Sequence, residues 1–321
     1  MKRLVALLTA LVLISCCGCS TENSGSTDSG DGAGDETTVT FTDALNRQIC
    51  IEKNPRRVAA LIGSFADIWM LSGGTVCATA DDAWDDFGLD LGDAVNIGGA
   101  HSPSAELLLS ANPDFVIASA STSSDVNLKE TLENAGITVA YFDVDCFDDY
   151  LAMLDICTDI TGRKDLYKLN GTSLQKKIDE IKEKCADAKP AEKERRILLL
   201  RASSGFIKAK GSDGTILGEM LADLGCVNIA DRDDSLLENL SVESVVREDP
   251  YRIFVVTMGD DEEKAMANLT RMMDENPVWN SLEAVSEGRL HIMDRALFNN
   301  KPNAKWAEAY DLLGKILLEQ R

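Results

Sequence analysis

The sequence contains few of the residues that bind metal ions or polyanions. Among 321 residues only two are histidine, His101 and His291, and the formal net charge at pH 7 is −22. A protein that carries zinc or manganese on its own side chains ordinarily uses more imidazole than this. We therefore expect no directly bound metal ion and no resident cofactor. Nucleic acid is excluded as a partner, because each phosphate contact would oppose the negative field of the whole molecule.

The sequence also lacks the short motifs of common enzyme classes. It contains no Gly-x-Ser-x-Gly, no Gly-x-x-x-x-Gly-Lys and no His-Glu-x-x-His. Beyond residue 20 the cysteines are scattered without a Cys-x-x-Cys pair, which favours buried free thiols and does not select a disulfide. We predict that the protein is not an enzyme and has no catalytic residue. A lipid-anchored enzyme or an adhesion module is the less favoured alternative.

One pattern occurs twice along the chain. A serine is followed two residues later by an acid and then by a proline, at Ser104, Glu106 and Pro113 and again at Ser241, Glu243 and Pro250. Each copy predicts a short helix with a serine N-cap, followed by an apolar strand. Upstream of each copy, an arginine precedes another apolar strand, at Arg57 and Arg196. Strands that are apolar on both faces belong to covered parallel sheets, so two related α/β lobes and a cleft between them are predicted.

The first residues form a targeting segment. Lys2 and Arg3 precede an apolar run over residues 4–14, which is too short to span a bilayer but typical of an export signal over residues 1–15. The run ends in Leu13-Ile14-Ser15-Cys16, which resembles the lipobox of bacterial lipoproteins and implies that Cys16 is the lipidated residue. Cys19 is the weaker candidate, because Cys16 and not an aliphatic residue stands three positions before it. Residues 16–38 are polar and predict a flexible linker. We expect an extracytoplasmic protein that contacts the membrane through its lipid anchor only.

Alternating strands and helices define the rest of the chain. Strands are predicted at residues 38–41, 48–51, 58–61, 76–80, 115–120, 139–144, 197–201, 227–230, 253–257 and 290–293. Helices are predicted at residues 65–71, 105–110, 128–134, 216–224, 242–246, 262–274 and 305–318. Between the N-terminal lobe (39–162) and the C-terminal lobe (189–321), residues 163–188 predict one interdomain helix, roughly 40 Å long. The fold class is therefore α/β, with two Rossmann-like lobes joined by one long α-helix.

Four segments together resemble a known family. They are Phe41-Thr-Asp43-Ala-Leu-Asn46-Arg47, Pro55-Arg-Arg57-Val, Asn112-Pro113-Asp114-Phe-Val-Ile-Ala, and the run from Asn276-Pro277-Val-Trp279 to Gly288-Arg-Leu. They resemble substrate-binding lipoproteins of ABC importers for ferric siderophores, haem and cobalamin, the class of periplasmic binding proteins with a single long interdomain helix. The resemblance implies a monomer that captures a metal chelate in the cleft and delivers it to a permease and its ATPase.

Ligand-binding candidates come from the loops that follow the strands, because ligands of open α/β sheets gather at the carboxyl ends of the strands. Aromatic, cationic and small polar side chains suit a bulky, partly anionic ligand. The candidates are Phe65, Trp84, His101, Ser102, Arg201, Phe206, Lys208, Lys210, Phe298, Asn300, Lys301 and Trp306. The cations favour an iron-siderophore complex over the alternatives, a corrinoid such as cobalamin or, third, haem.

The repeated acids Glu106 and Glu243 have two possible roles. As acids in a helix first turn they complement the helix dipole, which is worth about 0.3–1 kcal/mol. The family resemblance additionally implies that an acid on the outer face of each lobe docks to arginines of the permease. Both roles are compatible.

Overall fold

The computed structural model describes residues 37–259 and 261–319. The predicted signal peptide, the predicted lipidation site Cys16 and nearly all of the predicted linker lie outside the described residues. We call residues 37–162 the N-lobe and residues 189–319 the C-lobe.

A β-hairpin opens the described chain, as predicted. Strand β1 (Thr38–Thr42) pairs antiparallel with β2 (Gln48–Glu52). Between them Asp43 accepts a hydrogen bond from Arg47 N at 3.0 Å and pairs with the Arg47 guanidinium at 2.6 Å. Asn46 closes the turn with a φ of 58°, a left-handed conformation that asparagine tolerates better than most residues.

The N-lobe is built on a parallel sheet of five strands in the order β5-β4-β3-β6-β7. Their bounds are β3 Val58–Ala60, β4 Val76–Thr79, β5 Val95–Asn96, β6 Phe115–Ser119 and β7 Thr138–Phe142. Strand β5 was not predicted, because two residues carry no detectable periodicity.

The C-lobe sheet is parallel along the path β10-β8-β11-β12, and β9 pairs antiparallel with β8. The bounds are β8 Arg196–Ala202, β9 Ile207–Lys210, β10 Val227–Asn228, β11 Arg252–Thr257 and β12 Leu290–Met293. The predicted α/β class with parallel-rich sheets is confirmed. Strand β9 was not predicted, because its four residues are the shortest run in which alternation of apolar residues with lysines can indicate a strand.

Helices cover the sheets and connect the lobes. The N-lobe has α1 Gly63–Leu71, α2 Asp82–Asp85, α3 Ala105–Ser110, α4 Ser123–Asn127, α5 Lys129–Asn134 and α6 Phe147–Thr161. Next come α7 Lys164–Tyr167, a π-helical turn Lys168–Thr172 and α8 Ser173–Asp187. The C-lobe has α9 Ile216–Asp223, α10 Asp234–Asn239, α11 Val242–Glu248, α12 Glu262–Glu275, α13 Val278–Ser281, α14 Glu283–Ser286, α15 Arg295–Phe298 and α16 Trp306–Glu319.

The connection between the lobes is helical from α7 to the end of α8, nearly the range assigned to the interdomain helix. The π-helical turn at its N-terminal part is held by two contacts with the N-lobe. Tyr150 Oη donates to Asn170 O at 2.8 Å, and Asn170 Nδ2 donates to Leu71 O at 2.8 Å. The N-terminal part of the connection is therefore fixed to the N-lobe.

The sequence repeat is also a structural repeat at the start of each helix. Ser104 caps α3 by accepting from Leu107 N, and Ser241 caps α11 by accepting from Ser244 N, both at 3.3 Å. These contacts satisfy backbone donors that the first helical turn leaves unpaired. The two predicted serine caps are present.

The upstream arginines hold the other end of each repeated helix. Arg57 Nε donates to Ala111 O at the end of α3, at 2.9 Å. Arg196 donates to Glu248 O at the end of α11 and pairs with the Glu248 carboxylate at 2.7 Å. Cations at a helix C-terminus satisfy free carbonyl groups and favour the helix dipole. The repeat thus fixes both ends of α3 and α11 in the same way.

Three apolar clusters form the core. One covers the outer face of the N-lobe sheet, with Val116, and another the outer face of the C-lobe sheet, with Val255. The third contains inner-face residues of both sheets, such as Phe115 and Phe254, together with Ile178 of α8. Each lobe therefore has a core of its own only on the outer face of its sheet, and the inner faces share one core.

Cys50, Cys77, Cys146, Cys157 and Cys226 are free thiols. Cys157 and Cys185 are buried in the shared core, in agreement with the expectation of buried thiols. Cys50 departs from it, because the side chain lies on the exposed face of β2.

The packing of α16 on α8 gives a test of the shared core. A side chain at Gly314 of α16 would place Cβ 2.8 Å from Ile181 Cγ2 of α8, closer than carbon atoms pack. We predict that Gly314→Val lowers the free energy of unfolding by about 1–3 kcal/mol, the usual cost of overpacking. Gly205→Val is the matched control, because a Cβ at Gly205 meets nothing within 4 Å. Equal stability of the two variants in urea titrations would contradict this packing.

Candidate ligand-binding cleft

The carboxyl ends of the strands in the two sheets face each other. Asn303 of the C-lobe donates from Nδ2 to Ser64 O at 2.9 Å and to Asp67 Oδ2 at 2.8 Å, on the helix that follows β3. Arg295, just after β12, forms an ion pair with Asp86, just after α2. Segments that follow strands of both lobes are thus in direct contact. This arrangement borders the predicted cleft with residues from both halves of the chain.

Three of the predicted ligand-binding rings lie in the shared core. Phe65, Phe298 and Trp306 are 0%, 1% and 0% exposed. The Trp306 ring centroid lies 5.7 Å from that of Phe147 and 6.4 Å from that of Tyr150. These rings join the C-lobe to the N-lobe beneath the facing edges. Their contact with a ligand stays a prediction, and their observed role is packing.

The predicted cations of the C-lobe share one face of the β8–β9 hairpin. The register pairs Arg201 with Lys208 and Leu199 with Lys210. Side chains two residues apart on a strand point to the same face, and on this face Leu199 belongs to the core that both lobes share. Arg201, Lys208 and Lys210 therefore continue this face toward the carboxyl edge of the C-lobe. We call these three residues the cationic wall.

The cationic wall is short of internal counter-ions. Arg201 is half-buried, and its Nε has no hydrogen-bond partner within residues 37–259 and 261–319. Burial lowers the pKa of Arg201, and burial together with Arg201 and Lys208 lowers the pKa of Lys210. Lys208 Nζ lies 5.3 Å from the ring centroid of Phe206. A half-buried guanidinium is stable when it is paired, so this wall is suited to bind an anion.

The facing edge of the N-lobe is acidic. Lys301 reaches this edge from the C-lobe and places Nζ 5.8 Å from the Phe65 ring centroid. Burial lowers the pKa of Lys301, whereas the charges of Asp145, Asp143 and Asp149 raise it. Burial raises the pKa of Asp145, and Asp143 adds to the effect. The two edges of the cleft thus carry charges of opposite sign.

Asp125 is a fully buried acid behind the same edge, in the helix that follows β6. Its Oδ2 accepts a hydrogen bond from Ser119 N at 2.9 Å. Burial raises the pKa of Asp125 to about 7, although the hydrogen bond from Ser119 N lowers it, and the charge of Asp82 adds to the rise. Asp82 in turn accepts from Gly63 N at the start of α1, at 2.9 Å. With a pKa of about 7, the Asp125 carboxyl group is the one among the described acids of this edge that changes charge near neutral pH.

The other predicted ligand-binding residues are half-buried or exposed. Trp84 is half-buried in α2, and His101 and Ser102 are exposed in the loop before α3. Asn300 is half-buried, and its Oδ1 accepts from Asn299 Nδ2 at 3.3 Å. The structure brings together the cationic wall with Phe206, and Lys301 with Phe65. The contact of the whole predicted set with a ligand stays a prediction.

Two contacts between the facing edges of the lobes were not predicted from the sequence. The ion pair Arg295–Asp86 and the contact of Asn303 with Asp67 join residues more than two hundred positions apart. The loops that contain them were expected at the cleft, but a single sequence has no signal that pairs distant residues. The paired aspartates around residue 82 were the available sign that this edge is acidic.

A depression lies at the end of the C-lobe sheet away from the cationic wall, beside the starts of β8 and β10. It has a volume of about 670 Å³ and is lined by four arginines, Arg195, Arg196, Arg232 and Arg247. Arg196 pairs with Glu248 at 2.7 Å and Arg247 with Asp233 at 2.5 Å. Glu248 and Asp233 thus neutralise two of the four guanidinium groups, which weakens the depression as an anion site.

Within residues 37–259 and 261–319, no group of three or more His, Cys, Asp or Glu side chains is arranged to hold a metal ion. Over the same residues, no helix combines the length and the apolar character needed to cross a bilayer.

The family follows from the sequence match over the two lobes. A family model described as periplasmic binding protein matches residues 58–297, most of the chain. The chain belongs to the periplasmic binding protein family. The family comprises substrate-binding proteins of transporters, which confirms the predicted resemblance and the prediction that the protein is not an enzyme.

Two relatives match this binding protein over almost its whole length. It is 24% identical to the putative ABC transporter substrate-binding lipoprotein YhfQ of Bacillus subtilis (strain 168), with 96% of each chain covered. It is 25% identical to the Fe(3+)-citrate-binding protein YfmC of the same organism, with 98% of each chain covered.

A solved structure shows the same fold. The periplasmic vitamin B12 binding protein BtuF of Vibrio cholerae superimposes with a TM-score of 0.66 at 16% sequence identity, over 83% of this chain and 99% of that chain. At this level of identity the likeness concerns the fold and does not select a ligand.

The buried acid gives a test by pH. Because the folded state raises the Asp125 pKa from 3.8 to about 7, it binds the proton more tightly than the unfolded state between these values. The free energy of unfolding should therefore fall as pH rises through this window, by up to about 1.4 kcal/mol per pH unit from this group. We predict that Asp125→Asn removes this slope and is more stable than wild type at pH 8.

Denaturant titrations from pH 4 to pH 8 measure the effect. The exposed residue Asp90 provides the control, and Asp90→Asn should keep the wild-type slope. Parallel pH profiles for wild type and Asp125→Asn would show that Asp125 is not the titrating group.

Proposed function

We propose that this protein captures an anionic ferric chelate, an iron-siderophore complex or a carboxylate chelate of similar charge, in the cleft between its lobes. The observation that carries the proposal is Arg201, a half-buried guanidinium with an unpartnered Nε on the inner side of the C-lobe edge. Lys208 and Lys210 continue the same face. Guanidinium and ammonium groups in this arrangement suit carboxylate, catecholate or hydroxamate oxygens around iron.

The charge of the two walls supports an orientation for the ligand. Anionic groups would face Arg201, because the opposite edge carries the carboxylates of Asp82, Asp143 and Asp145. Lys301 lies among these acids and reduces their repulsion of an anion. The bound chelate would therefore place its most negative side against the C-lobe and its neutral or donor groups against the N-lobe.

The relatives support the same class of ligand. The Fe(3+)-citrate-binding protein YfmC, which this chain matches along 98% of its length, is named for a ferric carboxylate chelate. A corrinoid ranks second, because binding a corrinoid does not require a cluster of three cations. Haem ranks third, because among the predicted ligand residues only the exposed side chain of His101 offers an imidazole to iron. No resident cofactor is proposed.

Delivery to a membrane partner completes the proposed function. We propose that the exposed carboxylates of Glu106 and Glu243 dock to basic residues of an ABC permease, which works with its ATPase. The structural repeat supports this role, because α3 and α11 present the two acids at equivalent positions. The protein is proposed to act as an extracytoplasmic monomer held to the cell membrane by a lipid on Cys16, as the name of the lipoprotein YhfQ also suggests.

Titration of ferric chelates tests the ligand class. We predict that the purified protein binds ferric citrate or a ferric siderophore more tightly than cobinamide, cobalamin or haem. Arg201→Gln should weaken the binding of the chelate to the protein at least about tenfold, because each hydrogen bond from a charged donor contributes about 1.5–3 kcal/mol. Lys177→Gln on the exposed side of α8 is the matched control and should leave affinity unchanged.

Preference for a corrinoid or haem would contradict the proposed ligand class. Unchanged affinity of Arg201→Gln for the chelate would contradict the proposed site even if the ligand class is right.

Charge reversal tests the delivery step. The double variant Glu106→Arg, Glu243→Arg should abolish uptake and retain ligand affinity, because the two carboxylates lie on the outer surface and make no ion pair within the described part of the chain. The control reverses two other exposed acids, Glu180→Arg and Glu263→Arg, at the same total charge. Normal uptake by the first double variant, or loss of its ligand affinity, would refute the docking role.

A further inference from the structure

The two repeated helices share one more surface feature besides the acid. Leu109 of α3 is 37% exposed and Val246 of α11 is 43% exposed. Each lies three residues after the repeated glutamate, Glu106 or Glu243, so that acid and apolar side chain occupy neighbouring positions on the helix surface. Single exposed apolar residues are common on protein surfaces and need no explanation. Recurrence at equivalent positions of two lobes does need one.

The neighbouring positions of the repeat show that this exposure is selective. The residue before each exposed side chain, Leu108 or Val245, is 0% exposed and anchors the helix in the core of its lobe. The residue after the glutamate differs between the copies, because Leu107 is 43% exposed whereas Ser244 is 4% exposed. Besides the glutamate, an exposed apolar side chain is therefore common to both copies at the position of Leu109 and Val246.

Hydrogen bonds fix the backbone of both helices at each end. The serine caps fix the first turn of α3 and α11, and the arginine contacts from Arg57 and Arg196 fix the last turn. The same backbone hydrogen bond then follows in each lobe, from Asp114 N to Arg57 O at 2.8 Å and from Tyr251 N to Arg196 O at 2.9 Å. A surface fixed before binding loses little entropy when it binds a partner.

We propose that Leu109 and Val246 complete two equivalent docking patches, each made of one carboxylate and one apolar side chain. The occupant is a permease surface that presents an arginine or lysine beside an apolar residue, twice, in a two-fold or pseudo-two-fold pair. This inference rests on the docking role proposed for Glu106 and Glu243. Charge complementarity supports it, because both carboxylates are exposed without an ion pair in residues 37–259 and 261–319.

The acid and the apolar residue have separable kinetic effects. Exposed charges at an interface mainly set the rate of association and its dependence on salt. Apolar contacts that lose water on binding mainly set the rate of dissociation. Substitutions at Leu109 and Val246 should therefore raise the dissociation rate, whereas substitutions at Glu106 and Glu243 should lower the association rate.

Binding kinetics of the full-length lipoprotein on its permease–ATPase complex in nanodiscs provide the test. Leu109→Ser and Val246→Ser should each raise the dissociation rate about three- to tenfold, as expected for losing one buried aliphatic contact. The double variant should show the product of the two effects, because the sites lie on different lobes. Leu109→Met and Val246→Ile should retain the wild-type rate, since they keep the apolar contact.

Leu312→Ser is the matched control, because Leu312 is a 38% exposed leucine on α16, outside the repeat. Equal dissociation rates for wild type and the Leu109 and Val246 serine variants would overturn the inference, and so would an equal effect of Leu312→Ser. If Glu106→Gln and Glu243→Gln still slow association in that case, the docking role stands without the apolar patches. If they too have no effect, the proposed docking role fails as well.

Discussion

The packing of both sheets into one shared apolar core determines the rest of this structure. Inner-face residues such as Phe115 and Phe254 meet around α8 and α16, and Trp306 closes the cluster against Phe147. Because this core is close-packed, the relative position of the lobes is fixed near it. The carboxyl ends of both sheets are thereby held face to face. The predicted cleft follows from this packing and from the rule that parallel sheets present their loops at one edge.

The charges of the cleft follow from which strand ends face each other. The C-lobe contributes a wall that includes Arg201, a half-buried cation whose Nε lacks a partner in the described residues, and the N-lobe contributes acids such as Asp145. In a chain with a net charge of −22, a wall of uncompensated cations is costly unless an anion occupies it. Binding of an anionic chelate and the otherwise acidic surface are therefore compatible, because Arg201 lies half-buried at the C-lobe edge and the carboxylates proposed for docking, Glu106 and Glu243, lie on the exposed surface.

Much of the fold could be predicted because its signals are local. Ser104 and Ser241 mark helix starts, and the apolar runs at β6 and β11 mark buried strands. The site was less predictable, because an aromatic residue after a strand has the same sequence signature whether it lines a cleft or fills a core, as Phe65 does. Contacts between distant segments, such as Arg295 with Asp86, depend on how the lobes pack and leave no mark in one sequence.

The central claim is that an anionic iron chelate binds between the facing edges of the two lobes. The most direct measurement is the iron anomalous signal in crystals grown with ferric citrate or a ferric siderophore. The account predicts one iron peak between the lobes, with chelate oxygens in hydrogen-bond contact with Arg201. A peak in the arginine-lined depression near Arg195 and Arg247, or on the outer surface of one lobe, would contradict it.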